Sequence, residues 1–268
     1  MATPLRWAVI TVAVAGAALG SKLLFWLEDP QLTWSSFHTP AYLMGGKTIV
    51  GALAAGLLAV ELTKRYIGLR QSTGDLYAVP LAVGIAIGRI GCFLTGLADN
   101  TYGTPTRLPW AVNFGDGVPR HPTQLYEIAF LLLLIPLLYH ILRRVVILSG
   151  AVTKQSEVTA QSKDPATANH PDAASVQSLG ARNHCTSAAQ TIAVSRSIFL
   201  PGDAFKFFMV AYMSFRLLCD FIKPYPRVFL GFGGIQWACI LVLLYYSPDI
   251  MRWLRLLDRS ILDRSQEA

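Results

Sequence analysis

Two arginines stand at membrane depth in this chain. Arg89 lies in Gly88-Arg89-Ile90-Gly91-Cys92-Phe93-Leu94, inside an apolar run, and Arg216 lies in another, with Tyr212 four residues before it and Asp220 four residues after. An ionised side chain in lipid costs several kcal/mol unless it is paired or lines a water-filled cavity, so each marks a functional site by default. A guanidinium stays charged at any physiological pH and presents a planar fork of donors, which suits it to phosphate. Tyr212, Arg216 and Asp220 share one helix face, which puts Arg216 and Asp220 within pairing distance. That face is either a neutralised ion pair or, together with Arg89, a clamp on one lipid headgroup.

Other polar residues lie near the same depth. Lys47, in Gly45-Gly46-Lys47-Thr48-Ile49, opens an apolar run, where it either snorkels to the surface or adds a headgroup contact. The string lacks the spacing of a nucleotide-binding loop. His121 precedes a helix start in Arg120-His121-Pro122-Thr123-Gln124-Leu125-Tyr126-Glu127. Its near-neutral imidazole would serve as a general base, or the segment simply caps and anchors the helix. Tyr102, Gly103, Trp110 and Phe114 make an aromatic loop suited to headgroup level, with Asp99 and Asp116 as turn residues. Cys92, Cys185, Cys219 and Cys239 have no paired spacing and three of them fall in apolar runs, so they read as small buried hydrophobes there, not as a disulfide framework or a metal site.

The elements that position these groups follow from composition. With 53% hydrophobic and 15% charged residues, and a mean hydropathy of +0.43, the chain is too apolar for a soluble domain. Spanning helices need roughly 20 apolar residues, and about six runs approach that length: residues 7–26, 42–62, 77–97, 124–142, 205–222 and 232–246. None alternates as a barrel strand would, so the expected fold is an all-α polytopic membrane protein with about six transmembrane helices. Gly16-x-x-x-Gly20 and Gly84-x-x-x-Gly88 predict close helix contacts. The net charge of +7 is explained by basic residues gathered on one side of these runs, which leaves no case for nucleic-acid binding. By the positive-inside rule both termini are cytoplasmic, and the loop at residues 98–123 faces outward. The first run resumes after Lys22, which favours a retained helix over a cleaved signal peptide.

Residues 1–148 are thus expected to hold the N-terminal helices and an outward head loop. Residues 149–196, rich in Ala, Ser, Thr, Gln and Asn, read as a disordered cytoplasmic linker, with His170, His184 and Cys185 as polar filler and no ligand set. Residues 197–250 hold the C-terminal helices. Residues 251–268 alternate Trp253, Leu254, Leu257 and Ile261 with basic residues, as an amphipathic helix on an anionic membrane surface does.

The segments Gly88–Phe93, Tyr102-Gly103, Arg120–Glu127 and Tyr212-x-x-x-Arg216-x-x-x-Asp220 together resemble the signatures of the prolipoprotein diacylglyceryl transferase family of bacterial inner-membrane enzymes. The resemblance implies transfer of diacylglyceryl from phosphatidylglycerol to the lipobox cysteine of a prolipoprotein signal peptide, without a cofactor. It also implies that Arg89 and Arg216 bind the headgroup, with Cys92, Tyr102 and Gly103 beside it, while Lys47 is a further candidate contact from its place in the chain alone. Asp220 would orient Arg216, and His121, Asp220 and Tyr212 are the catalytic candidates. The chain departs from the pattern where the family has His-Gly-Gly-Leu, here Gly46-Lys47-Thr48-Ile49. Its acidic position after Gly96 falls at Leu97 or Asp99, and the family's first helix, with a catalytic tyrosine, has no counterpart. Activation of the thiol, ordinarily of pKa about 8.5, must therefore come from another base or from the field of Arg89, Lys47 and Arg216. The runner-up is a non-catalytic relative that binds an anionic phospholipid or a lipoprotein precursor. A small transporter is weaker still, because no matched pair of broken helices is visible.

Overall fold

The structure, a computed structural model, describes residues 3–69, 74–161, 199–224, 227 and 230–267. Helix α1 (Thr3–Glu28) runs antiparallel to α4 (Ile49–Ile67), connected through the short α2 (Pro30–Ser36) and α3 (Pro40–Met44). The turn into α2 is set locally, with Pro30 in its first turn and the Asp29 carboxylate accepting the Leu32 N–H at 2.9 Å. A Cβ on Gly16 would fall 2.5 Å from Ala59 Cβ, and one on Gly20 would collide with Ala55 and Gly51. The Gly16/Gly20 spacing is therefore a true helix contact. Gly84 and Gly88 have open space where a Cβ would go. Their expected packing role is not met.

Helices α5 (Asp75–Thr95), α6 (Thr123–Gln161), α7 (Asp203–Asp220) and α8 (Gly234–Tyr245) form the second block. Ala78, Ala82 and Ala86 recur every four residues on α5, and this small-residue stripe lets neighbouring helices approach closely. Leu131, Leu134 and Leu138 of α6 and Phe208, Tyr212 and Met213 of α7 fill the core against it. Leu132, Leu133, Leu137 and Ile87 point the other way and are exposed, as lipid-facing residues are. The last helix, α9 (Ser247–Glu267), is tied to the start of α7 by charge, with Arg252 2.7 Å from Asp203 and Lys206 2.8 Å from Asp249.

Between α5 and α6 the chain makes a 3-10 turn (Gly96–Asp99) and a two-stranded antiparallel ribbon, β1 (Val112–Asn113) and β2 (Pro119–Arg120). This head loop is pinned to the helices below it. Gly103 donates its N–H to His121 O at 2.9 Å, and Thr104 donates to Ile222 O at 2.8 Å.

Among the described residues the architecture is all-α apart from that ribbon. Among the described residues three helices are long and apolar enough to cross a membrane, Trp7–Glu28, Asp75–Asp99 and Thr123–Val145, and a fourth if α8 and α9, bent by 58° to one another, count as one span. The other expected runs fall short for identifiable reasons. α4 carries Glu61, Lys64 and Arg65, α7 carries Asp203, Lys206, Arg216 and Asp220, and α8 has 12 residues. The run at 42–62 is also broken: Lys22 Nζ bonds the carbonyls of Leu43 at 3.0 Å and Met44 at 2.7 Å, closing α3, so the long helix starts only at Ile49. α6 continues past Ser149 to Gln161, into the expected linker; the rest of that segment lies outside the described residues.

Candidate active site

The two arginines meet, and they meet over an acid. Thr123 starts α6 so that Gln124, Glu127, Leu131 and Leu134 fall on one face, aimed between α5 and α7. Glu127 is 2% exposed. One of its oxygens lies 2.9 Å from Arg89 Nε and 3.2 Å from an Arg216 terminal nitrogen, and the other accepts the Tyr212 hydroxyl at 2.6 Å. The Arg89 Nε proton does not point along its short contact, so that partner is held by charge more than by a hydrogen bond. Two fixed positive charges share one negative charge in a buried site. Guanidinium forks gathered on one carboxylate in this way are donors of the geometry that holds a phosphodiester.

Glu127 is the residue that sequence reasoning missed. The signal was present, since a carboxylate four residues into an apolar helix is as costly as the arginines. Pairing by helical spacing had assigned Asp220 to Arg216. In the structure Arg216 reaches across the helix interface to Glu127, and Asp220 is buried with Oδ1 lacking a hydrogen-bond partner. Tyr212 does sit in the cluster, as the donor that fixes Glu127. Cys92 borders it, with Sγ 3.7 Å from an Arg89 terminal nitrogen; Cys219 and Cys239 are buried, while Cys185 lies outside the described residues.

Other expected site residues have different places. Lys47 is exposed on the strand of chain before α4, whose Thr48 bonds Ser21 O of α1, and the structure does not bring it to the arginine pair. His121 Nδ1 is 3.1 Å from the Tyr126 hydroxyl, which accepts the Trp110 indole N–H at 2.7 Å. That hydroxyl is then left to donate to the imidazole, and the triad stiffens the head loop. Tyr102 stacks under Arg120, whose guanidinium carbon is 5.0 Å from its ring centre. Gly103 lies where a Cβ would be 2.6 Å from His121 Cβ, so glycine closes the loop onto α6. Asp116 is held below the usual carboxylate range by Arg120. Lys223, just past α7, is buried, and burial together with the facing guanidiniums of Arg216 and Arg89 pushes its amine down to about 7.

The family model for prolipoprotein diacylglyceryl transferase matches residues 2–160, more than half of the chain. The chain belongs to this family. Three relatives are named phosphatidylglycerol–prolipoprotein diacylglyceryl transferase: that of Bordetella parapertussis is 34% identical over 137 residues, covering 45% of this chain and 47% of the relative. That of Methylococcus capsulatus is 39% identical over 127 residues (44% of each chain), and that of Rhodospirillum centenum 36% over 134 residues (47% and 45%). The chain spans about half the length of the curated relatives it matches. No solved structure matches it.

As a member of the diacylglyceryl transferase family, the chain holds Arg89, Cys92, Tyr102, Gly103, His121 and Glu127 within the matched residues. Tyr212, Arg216 and Asp220 lie beyond them. The fold nonetheless delivers α7 to the same carboxylate.

Proposed function

We propose that the chain transfers diacylglyceryl from phosphatidylglycerol to the lipobox cysteine of prolipoproteins, in the bacterial inner membrane with both termini cytoplasmic. The observation that carries this is the Arg89–Glu127–Arg216 cluster, two buried guanidiniums brought together on one carboxylate in a member of this family. The two guanidiniums hold the phosphodiester, and the cysteine thiolate attacks the glyceryl carbon. A C–S bond forms as the C–O bond to phosphate breaks, and glycerol phosphate leaves with the electron pair into the field of the same arginines. Glu127, tethered by Tyr212, sets the spacing of the two forks. The head loop, stiffened by His121, Tyr126 and Trp110, covers the site from the outer side.

α4, α7 and the bent α8–α9 pair complete the set of about six membrane-inserted elements in this reading, with α7 sheltering its charges inside the bundle. The test is complementation. Expression of the chain in cells depleted of their own transferase should restore lipidation of a reporter lipoprotein. Specific phosphatidylglycerol binding without rescue would instead indicate a lipid-binding relative.

A further inference from the structure

Glu28, the last residue of α1, is 8% exposed and is held on one side only. Its Oε2 accepts the Ile235 N–H at 2.7 Å, in the first turn of α8, where a helix N-terminus favours negative charge. Gly234 packs on that same oxygen, so that a Cβ there would lie 3.1 Å away. Oε1 is buried and has no hydrogen-bond partner among the described residues. A carboxylate oxygen taken out of water without a partner costs several kcal/mol, and such a group calls for an explanation in what it meets during function.

The charged groups facing Glu28 are those of the proposed transfer site: Asp220 and Arg216 of α7, and Lys223 beyond it. Three other candidate proton acceptors lie at that site, Glu127, His121 and Asp220, and each is less suited. Glu127 is engaged by two guanidiniums and a hydroxyl, and His121 by Tyr126. Asp220 also has an oxygen without a hydrogen bond among the described residues, but it faces three cations, Arg216, Lys223 and Arg227, whose field favours its ionised form and makes it the weaker base. Glu28 faces that carboxylate as well as the cations, and one of its oxygens is uncommitted.

We propose that Glu28 is the proton acceptor of the transfer, taking the thiol proton of the lipobox cysteine on Oε1. This rests on the transferase reading. The S–H proton passes to Oε1, and the sulfur pair forms the C–S bond. The C–O bond breaks toward phosphate, and the resulting carboxylic acid returns its proton to the departing glycerol phosphate. The Ile235 N–H bond to Oε2 keeps the other oxygen aimed.

The test uses the full chain in phosphatidylglycerol vesicles with a lipobox peptide. Glu28→Gln keeps an oxygen for Ile235 and the same shape, so lipid binding and thermal stability should hold while transfer falls roughly a hundredfold or more, as expected for loss of a general base. Glu28→Ala opens a space that added formate can fill, and formate should restore part of the rate. Transfer by Glu28→Gln at the parent's rate overturns the proposal alone. Should Glu28→Gln lose stability or binding, formate decides: rescue of Glu28→Ala supports the proposal, and absence of rescue overturns it. A parent that transfers nothing overturns the transferase reading and this inference with it.

Discussion

Glu127 is the single residue on which the cluster depends, because both guanidiniums lean on one carboxylate. Removing one partner of a buried ion pair leaves an uncompensated charge and costs about 3–5 kcal/mol. Glu127→Gln should therefore lower the thermal midpoint in lipid-free detergent, and phosphatidylglycerol should recover more of that loss than phosphatidylethanolamine does. Equal recovery by both lipids would mean the cluster does not select an anion. Lys223 gives a pH signature. Its amine is pushed down to about 7 in the fold, against an ordinary 10.5, so between those values the unfolded chain binds the extra proton and stability rises with pH. Below about pH 7 the ammonium adds a third cation beside the headgroup. Phosphatidylglycerol binding should thus tighten as pH falls through about 7, and Lys223→Met should flatten that dependence; a flat parent profile from about pH 6 to 8.5 would contradict it. Arg89, Arg216 and Tyr212 were legible from the cost of charge in lipid and from helical spacing. Glu127 carried the same cost of charge, but its pairing, like that of Glu28, was not legible, because the partners come from other helices far away in sequence and spacing reports only neighbours on one helix.

Elements carry the site by their ends. α5 and α7 bring their C-terminal turns, α6 its N-terminal turn, and the head loop ties these ends together through Gly103 and Thr104. Gly103→Ala should fail locally, because the new Cβ would meet His121 Cβ at 2.6 Å and Thr123 Cγ2 at 3.0 Å, atoms fixed by the turn into α6. Transfer should drop while membrane insertion persists, and limited proteolysis should open the chain within the head loop; an unchanged digestion pattern would show that the loop tolerates the methyl group. Helices α1, α5 and α6 were legible as long apolar runs. The start of α4 was not, because Tyr42, Leu43 and Met44 extend the apolar stretch across Gly45–Thr48, where hydrogen bonds from Lys22 close α3. α8 was legible as the run at 232–246, which stops where Ser247 and Pro248 begin a new helix at an angle of 58°.

For the whole molecule, the basic residues of α4 and α9 predict one cytoplasmic side. Cysteines placed at Ser36 and Thr104 should react with an impermeant thiol reagent from outside, and one at Ser175 should not; the reverse pattern would invert the topology. With that orientation the arginine pair opens outward, where lipobox cysteines would meet phosphatidylglycerol. In the proposed transfer Arg89 and Arg216 grip the phosphodiester with their forks while the thiol displaces it. Purified protein in phosphatidylglycerol vesicles, given a lipobox peptide and followed by mass spectrometry, tests this most directly. The account predicts a peptide bearing a thioether-linked diacylglyceryl group, with the yield lost in Arg89→Lys and Arg216→Lys, which keep the charge but not the fork. Folded parent protein that leaves the peptide unmodified, or lysine variants that modify it as fast as the parent, would contradict it.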